Sequence, residues 1–273
     1  VRASGTAGRI MQSDLDTHLA RRAALGAGAA GRTPSPAPPA SDATEAVPIV
    51  GLRRKIAQKM QESKRRIPHF SYVEEVDVSA LQELRERLNQ RWAATRGHLT
   101  LLPFVVRATV LALRQFPQLN ARLDDEAGIL TRHRGVHLGI ATQTEAGLMV
   151  PVLRHAEGLD LWAGAAEIAR LSAACRSGKI VRDELSGSTL TISSLGPLGG
   201  IASTPVINHP EVAIIGINRI VERPVIRGGA VVARQMMNLS SSFDHRVVDG
   251  LLAAEFVQAL RGYLEQPATL FID

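Results

Sequence analysis

The stretch RRAALGAGAAGRTPSPAPPASDATEAVP, residues 21–48, constrains the fold more than any other part of the chain. Dominated by Ala, Gly, Pro and Ser, it cannot bury enough apolar surface to offset the entropy of ordering it, so it reads as a mobile, partly extended linker. It splits the chain into unequal parts, expected at 1–22, a linker at 23–46 and a folded domain at 47–273. The leading VRASGTAGRIMQSDLDTHLA has a Gly-rich loop and then a helix signal, with Ser13 as N-cap and Asp14 and Asp16 in the first turn. It is too short to hold a core alone.

The part after the linker must supply the core, and its composition allows that. Hydrophobic content is 45% and charged content 21%, ordinary for a soluble globular chain. No window reaches the roughly 18 to 20 uninterrupted apolar residues of a membrane span, so no membrane partner is expected. A single cysteine, Cys175, excludes an intramolecular disulfide and a cysteine zinc site, and it fits a reducing compartment such as a bacterial cytoplasm or a mitochondrial matrix. The chain starts at Val1 with neither a secretory signal nor an initiator Met, so a processed or trimmed chain is expected. Much of the net charge of +6 falls in GLRRKIAQKMQESKRR, residues 51–66, where seven Lys or Arg face one Glu. With Ile56, Ala57 and Met60 at helical spacing this reads as an amphipathic helix with a solvated basic face. No aromatics interleave with the charges, so nucleic acid is not an expected partner; an anionic partner or cofactor phosphates stay open.

Hydrophobic periodicity alternates between helix and strand from residue 70 onward. FSYVEEVDV (70–78) reads as a strand, followed by a helix over 79–94 with Leu81, Leu84 and Leu88 on one face. Residues 100–117 are apolar nearly all round and predict a buried helix. Residues 136–153 read as two strands around a Gly-containing turn, and 159–176 as an amphipathic helix. STLTISSLG, PEVAIIGINRI and RGGAVVARQMMNLSSSF supply further strands, the last after a turn signal at Gly228 and Gly229. A final helix over 250–264 should bury Leu252, Phe256, Ala259 or Leu260, and Tyr263. The class is α/β with a mixed sheet, without the regular alternation of a Rossmann or TIM fold.

The chemistry concentrates in SSFDHRVVDG, residues 241–250, between the last strand and the last helix. His245 and Asp249 stand four apart but offer only two ligands, and a catalytic zinc wants three. SGSTL lacks the second glycine of a nucleophile elbow and leads into a strand. Two readings stay open: a structural histidine in a tight turn, and a lone base that activates a nucleophile brought by the substrate.

DHRVVDG, TLTISSLGPLGG, PEVAIIGI, GLMVPVL and SKRRIPHFSYVEEVDVSALQELRERL, in their order along the chain, resemble the catalytic domain of the dihydrolipoamide acyltransferases, the cores of 2-oxo acid dehydrogenase complexes. GTAGRIMQSDLDTHL resembles the second half of their peripheral subunit-binding domain, and the Ala-Pro stretch their usual hinge. The lipoyl domain is not among these segments, so the chain is expected to be a truncated product without its own lipoyl group.

The resemblance implies a chloramphenicol-acetyltransferase-like fold, a mixed β-sheet flanked by helices, and a homotrimer or larger trimer-based shell with active sites between subunits. It implies coenzyme A as a substrate, and as partners a dihydrolipoyl domain, a 2-oxo acid decarboxylase/dehydrogenase and a dihydrolipoamide dehydrogenase. It places the catalytic base on His245, its accompanying acid on Asp249 and the oxyanion-stabilising hydroxyl on Ser193, with coenzyme A contacts at Arg85, Thr100 and Ser194. Asp249 is expected to orient the site, through an arginine, and Gly250 to let the backbone turn tightly into the last helix. His69 and His209 are expected to be structural or cleft-lining. Where the family often has an Asp, this chain has Gln143. IPHFSYVEEVDVSALQELRERL is most similar to the branched-chain type, with acetyl transfer and then succinyl transfer as alternatives. A scaffold core without catalysis and a peptide-synthetase-like condensation domain are the readings from other classes.

Overall fold

The computed structural model describes residues 1–27 and 42–272. Most of the expected linker, 28–41, lies outside the described residues. The chain divides into two compact units, Val1–Pro48 and Ile49–Asp273.

In the first unit a short turn at Thr6–Gly8 leads to helix α1, Gln12–Ala27. The expected cap at Ser13 is not formed. The carboxylate of Asp14 closes the helix start instead, its Oδ2 accepting from the backbone N–H of Ser4 at 2.8 Å and of Met11 at 2.9 Å. A carboxylate reaches back across the first turn where a shorter hydroxyl at Ser13, already inside the helix, cannot. The helix continues to Ala27, into the segment expected as linker.

The second unit begins with α2, Gly51–Arg66, the basic helix. Ile56 and Met60 are half-buried and Ser63 fully buried, but Ala57 is exposed, so the buried stripe is narrower than the sequence spacing suggested. Ser63 is buried because its hydroxyl donates to the carbonyl of Ile207 at 2.6 Å. There follow β1 (His69–Asp77), α3 (Ser79–Arg96), α4 (Leu102–Gln115), β2 (Ala121–Asp124), β3 (Ile129–Arg132), β4 (Leu138–Ile140), β5 (Thr142–Thr144), β6 (Gly147–Met149) and β7 (Val152–Leu153). The chain continues through α5 (Leu161–Arg176), β8 (Leu190–Ser194), β9 (Ala213–Ile217), β10 (Val221–Arg227), β11 (Ala230–Asp244) and α6 (Gly250–Glu265).

The main sheet has seven strands in the order β1-β11-β9-β8-β4-β7, with β10 paired to β11. β8 runs parallel to both β4 and β9, and the other pairs are antiparallel, so the sheet is mixed. β11 organises it: β1 takes one edge, while β10 and then β9 share the other. Gly228 and Gly229, at φ 57° and 82°, make the hairpin from β10 to β11, a conformation that side chains with a Cβ resist. α4 is buried nearly all round and packs between α5 and α6, and α6 packs on β1.

Three sequence expectations need correction. Residues 136–153 hold four short strands, because β5 and β6 form a separate hairpin off the main sheet. The β2–β3 hairpin and β10 were not foreseen: the first has charges on both arms, and the second carries Pro224, which a strand with a free edge tolerates. On α6 the buried residues are Ala253, Phe256, Val257, Leu260 and Leu264, a face rotated from the expected one, with Leu252 and Tyr263 only half-buried.

Candidate active site

β11 ends at Asp244 and the chain turns through 245–249 into α6, so the strand delivers His245 to the rim of the sheet. The backbone of this turn is fixed at several points. His245 donates its N–H to Pro68 O at 3.1 Å, Asp244 donates to Val212 O at 2.9 Å, and the Asp244 carbonyl accepts from Val247 and Val248 at 3.0 and 2.9 Å. The Asp244 side chain is buried and holds Arg246, whose Nε lies 2.9 Å from Oδ1 and whose second terminal nitrogen lies 2.6 Å from Oδ2. The imidazole between these two residues is exposed. It packs on the Phe70 ring at 4.4 Å between centroids and makes no hydrogen bond among the described residues. An imidazole so placed can take a proton from an arriving group.

Asp249 caps α6, its Oδ1 accepting from the N–H of Leu252 at 2.8 Å. Among the described residues it forms no ion pair, so the arginine contact expected of it is not made within one chain; Arg246 turns to Asp244 and Asp125 instead. Gly250 is not needed for a tight turn either. It has ordinary helical geometry, and a Cβ there would meet open space.

Ser193 sits near the end of β8, half-buried, with no hydrogen-bond partner for its hydroxyl among the described residues. Its register neighbour on β9 is Gly216, whose own neighbour on β11 is Ser240. Gly216 has no room for a side chain: a Cβ there would lie 2.6 Å from the carbonyl oxygen of Ser240. His245 lies five residues beyond Ser240 along β11 and two strands over from Ser193. At about 3.3 Å per residue and about 4.8 Å per strand the two Cα atoms are roughly 19 Å apart. By that spacing the two stand well apart on one chain's sheet.

Arg85, Thr100 and Ser194 do meet, in one cleft of about 550 Å³ also lined by Leu101, Pro197 and Ile220. Asn89 is the reason Thr100 arrives there: it donates to Leu99 O at 2.9 Å and accepts from Leu99 N at 2.8 Å, which bends the chain from α3 toward the start of α4. The half-buried Arg85 is steadied by Gln82 at 2.9 Å. An arginine beside a helix N-terminus favours an anionic ligand. Gln143 is exposed on β5, and its side chain donates to the carbonyl of Thr144.

His69 and His209 are held by the structure. Nδ1 of His69 meets Ile67 O at 2.9 Å and Nε2 accepts from the N–H of Ile207 at 3.0 Å, an arrangement of the neutral ring; burial pushes its pKa down. Close by, Glu211 is wholly buried, with Oε1 accepting from Ser188 and Asn208 and no partner for Oε2 among the described residues. Burial pushes this carboxyl up, against hydrogen bonds from Ser188, Thr191 and Asn208 that pull it down. Among the described residues no group of three or more His, Cys, Asp or Glu could hold a metal ion.

The model of the 2-oxoacid dehydrogenases acyltransferase (catalytic domain) family matches residues 41–272. The chain belongs to this family. It is 64% identical, over all of its length, to the lipoamide acyltransferase component of the branched-chain alpha-keto acid dehydrogenase complex of Pseudomonas aeruginosa, and it spans 63% of that protein. It is 38% identical to the dihydrolipoyllysine-residue acetyltransferase component of the pyruvate dehydrogenase complex of Staphylococcus aureus, over 100% of this chain and 66% of that one. Among solved structures, the cubic core of the pyruvate dehydrogenase multienzyme complex superposes with a TM-score of 0.81 at 36% identity, over 87% of this chain and 100% of that one.

Dihydrolipoamide acetyltransferase of Azotobacter vinelandii superposes equally well, at 35% identity and the same coverage. That structure was studied for the roles of a serine, a histidine and an asparagine in catalysis, and these three are spaced along their chain as Ser193, His245 and Asp249 are along this one. Asp249 thus stands where that acetyltransferase has an asparagine. The residues to which sequence reasoning gave no role are Asp125, Asp244 and Arg246, at the His245 turn; His209, expected to be structural or cleft-lining, has its Nε2 2.8 Å from Oδ2 of Asp125. The carboxylate and arginine flanking His245 were visible in DHR, but nothing local marks Asp125.

Proposed function

We infer that this domain transfers an acyl group from an S-acyl-dihydrolipoyl arm to coenzyme A, at sites formed between copies of the chain. What supports this reading is the family match over residues 41–272, together with a sheet register that sets the His245 and Ser193 Cα atoms roughly 19 Å apart in one chain. A neighbouring subunit of a trimer would close the gap. His245 takes the proton from the coenzyme A thiol, and the thiolate attacks the thioester carbonyl. The carbonyl oxygen becomes an oxyanion, which accepts a hydrogen bond from Ser193. Collapse of the intermediate breaks the bond to the dihydrolipoyl sulfur, which leaves with the proton returned by the imidazolium. Asp249 orients the turn by capping α6 and plays no part in proton transfer.

The cleft with Arg85, Thr100 and Ser194 suits coenzyme A, offering a cation for phosphate and apolar walls for the pantetheine arm. The lipoyl arm belongs to a separate domain, and the partners are the decarboxylating and dihydrolipoamide dehydrogenase components of a 2-oxo acid complex. Branched-chain acyl groups are the substrates favoured by the 64% identity to the branched-chain component, against 38% to an acetyl-transferring one. Acetyl and branched acyl groups differ by a few methylenes, worth about 1 to 3 kcal/mol each, so few pocket side chains decide between them. Coenzyme A dependent thioester exchange with free dihydrolipoamide, run over a panel of acyl-coenzyme A substrates, tests the reading. Turnover with isobutyryl above acetyl is expected; the reverse order overturns the branched-chain choice, and no turnover at all leaves a scaffold core.

A further inference from the structure

The geometry points to Asp125, beyond the end of β2, as a positioning residue for His245, acting through Arg246. It rests on the acyltransferase reading, because what it positions is the proposed base.

Asp125 lies in the loop of the β2–β3 hairpin, 121 residues before Arg246 in sequence. Its carboxylate is only 11% exposed and takes two donors from different parts of the chain. Oδ1 accepts from a terminal nitrogen of Arg246, and Oδ2 accepts from Nε2 of His209 at 2.8 Å. Arg66, the last residue of α2, stands 3.8 Å from Oδ2. Burial alone would raise the pKa of this carboxyl, but the hydrogen bonds from His209 and Arg246 hold it below its ordinary value, so it stays charged.

Arg246 is therefore gripped from two sides, by the buried Asp244 in its own turn and by Asp125 from the hairpin. His245 is the residue between Asp244 and Arg246, and among the described residues its ring has no hydrogen bond to aim it. Its aim depends on the backbone of the turn and on the Phe70 ring beneath it. A salt link confined to Asp244 and Arg246 would leave the turn tied to the domain by its backbone bonds to Pro68 and Val212 alone; the link to Asp125 adds a side-chain tie.

The hairpin is built to carry that load. Asp124 accepts from the N–H groups of Glu126 and Ala127, both at 3.0 Å, which sets the loop around Asp125. Leu123 donates to Pro210 O at 2.9 Å, and the backbones of Arg122 and Glu211 pair in a single antiparallel bridge. The next residue, Val212, accepts from the N–H of Asp244. The hairpin and the turn are thus tied to the same strand entry, and the Asp125 carboxylate closes the loop between them.

The test is a double-mutant cycle on the assembled particle, with Asp125→Ala, His245→Ala and the double variant, following kcat and the KM for coenzyme A. Asp125→Ala should lower kcat roughly 10 to 100-fold, as expected of a misplaced base, with the KM for coenzyme A unchanged. Asp125→Asn, which keeps an acceptor for Arg246, should restore most of the lost kcat. Adding Asp125→Ala to His245→Ala should cost nothing further, because there is no base left to aim. Full kcat in Asp125→Ala, a loss seen in KM alone, or an additive loss in the double variant overturns the proposal. Should Asp125→Ala fail to assemble, Asp125→Ser, too short to reach Arg246, carries the same test. A wild-type particle without transfer activity would instead overturn the acyltransferase reading itself.

Discussion

The two side chains assigned to the chemistry are held in opposite ways. Ser193 is fixed by the ladder: β8 lies in the middle of the sheet, paired on both edges, and the hydroxyl goes where the pleat sends it. His245 lies past the end of a strand, and its turn is held by backbone bonds to Pro68 and Val212 and by charge through Asp244, Arg246 and Asp125. An oxyanion donor has only to stay still, and a central strand supplies that. A base must meet a substrate at an open rim, where the ladder ends at Asp244, so ionic contacts add to the last backbone bonds in holding the turn.

Breaking either side should stop transfer, the base more severely. His245→Ala should lower kcat by roughly 100 to 10,000-fold with the oligomer intact, and Ser193→Ala by roughly 100 to 1,000-fold as expected of one oxyanion donor. Both are read by steady-state thioester exchange and particle mass; near-normal turnover in either removes that assignment. Arg85→Ala should sharpen the contrast, since it touches neither group: the KM for coenzyme A rises roughly tenfold while kcat holds, as one charge-assisted contact is lost.

The smallest effect concerns Glu211, behind the His245 turn. Its folded pKa is raised by burial, so its contribution to stability is complete below the unfolded pKa and is lost as pH rises through the folded one. Glu211→Gln removes that titration. The melting temperatures of wild type and variant should therefore diverge as pH rises, with wild type falling relative to the variant; parallel curves would show that Glu211 does not bury a neutral carboxyl.

The same contrast explains what could be read from the sequence. β1, α3, α4 and β11 have long, regular apolar periods, and α2 carries its basic face in plain order, so these elements were legible. β10 hid behind Pro224, and the β2–β3 hairpin behind the charges of LDDEAG, where local pattern says loop and only tertiary pairing makes strand. At the site, the roles of His245, Ser193 and Asp249 and the coenzyme A contacts at Arg85, Thr100 and Ser194 came from the family resemblance; that the last three line one cleft was not foreseen. The Asp125–Arg246 contact joins distant segments and leaves no periodic trace. The cap at Asp14 in place of Ser13 shows the same limit on a smaller scale, since both residues are good cap formers and only geometry chooses.

The central claim is that base and oxyanion donor come from different chains. It is tested most directly by co-assembling His245→Ala and Ser193→Ala subunits, each inactive alone. Random mixing in a trimer should leave about one site in four with both groups intact, and activity should return to about a quarter of wild type. Hybrid particles as inactive as their parents would contradict the account.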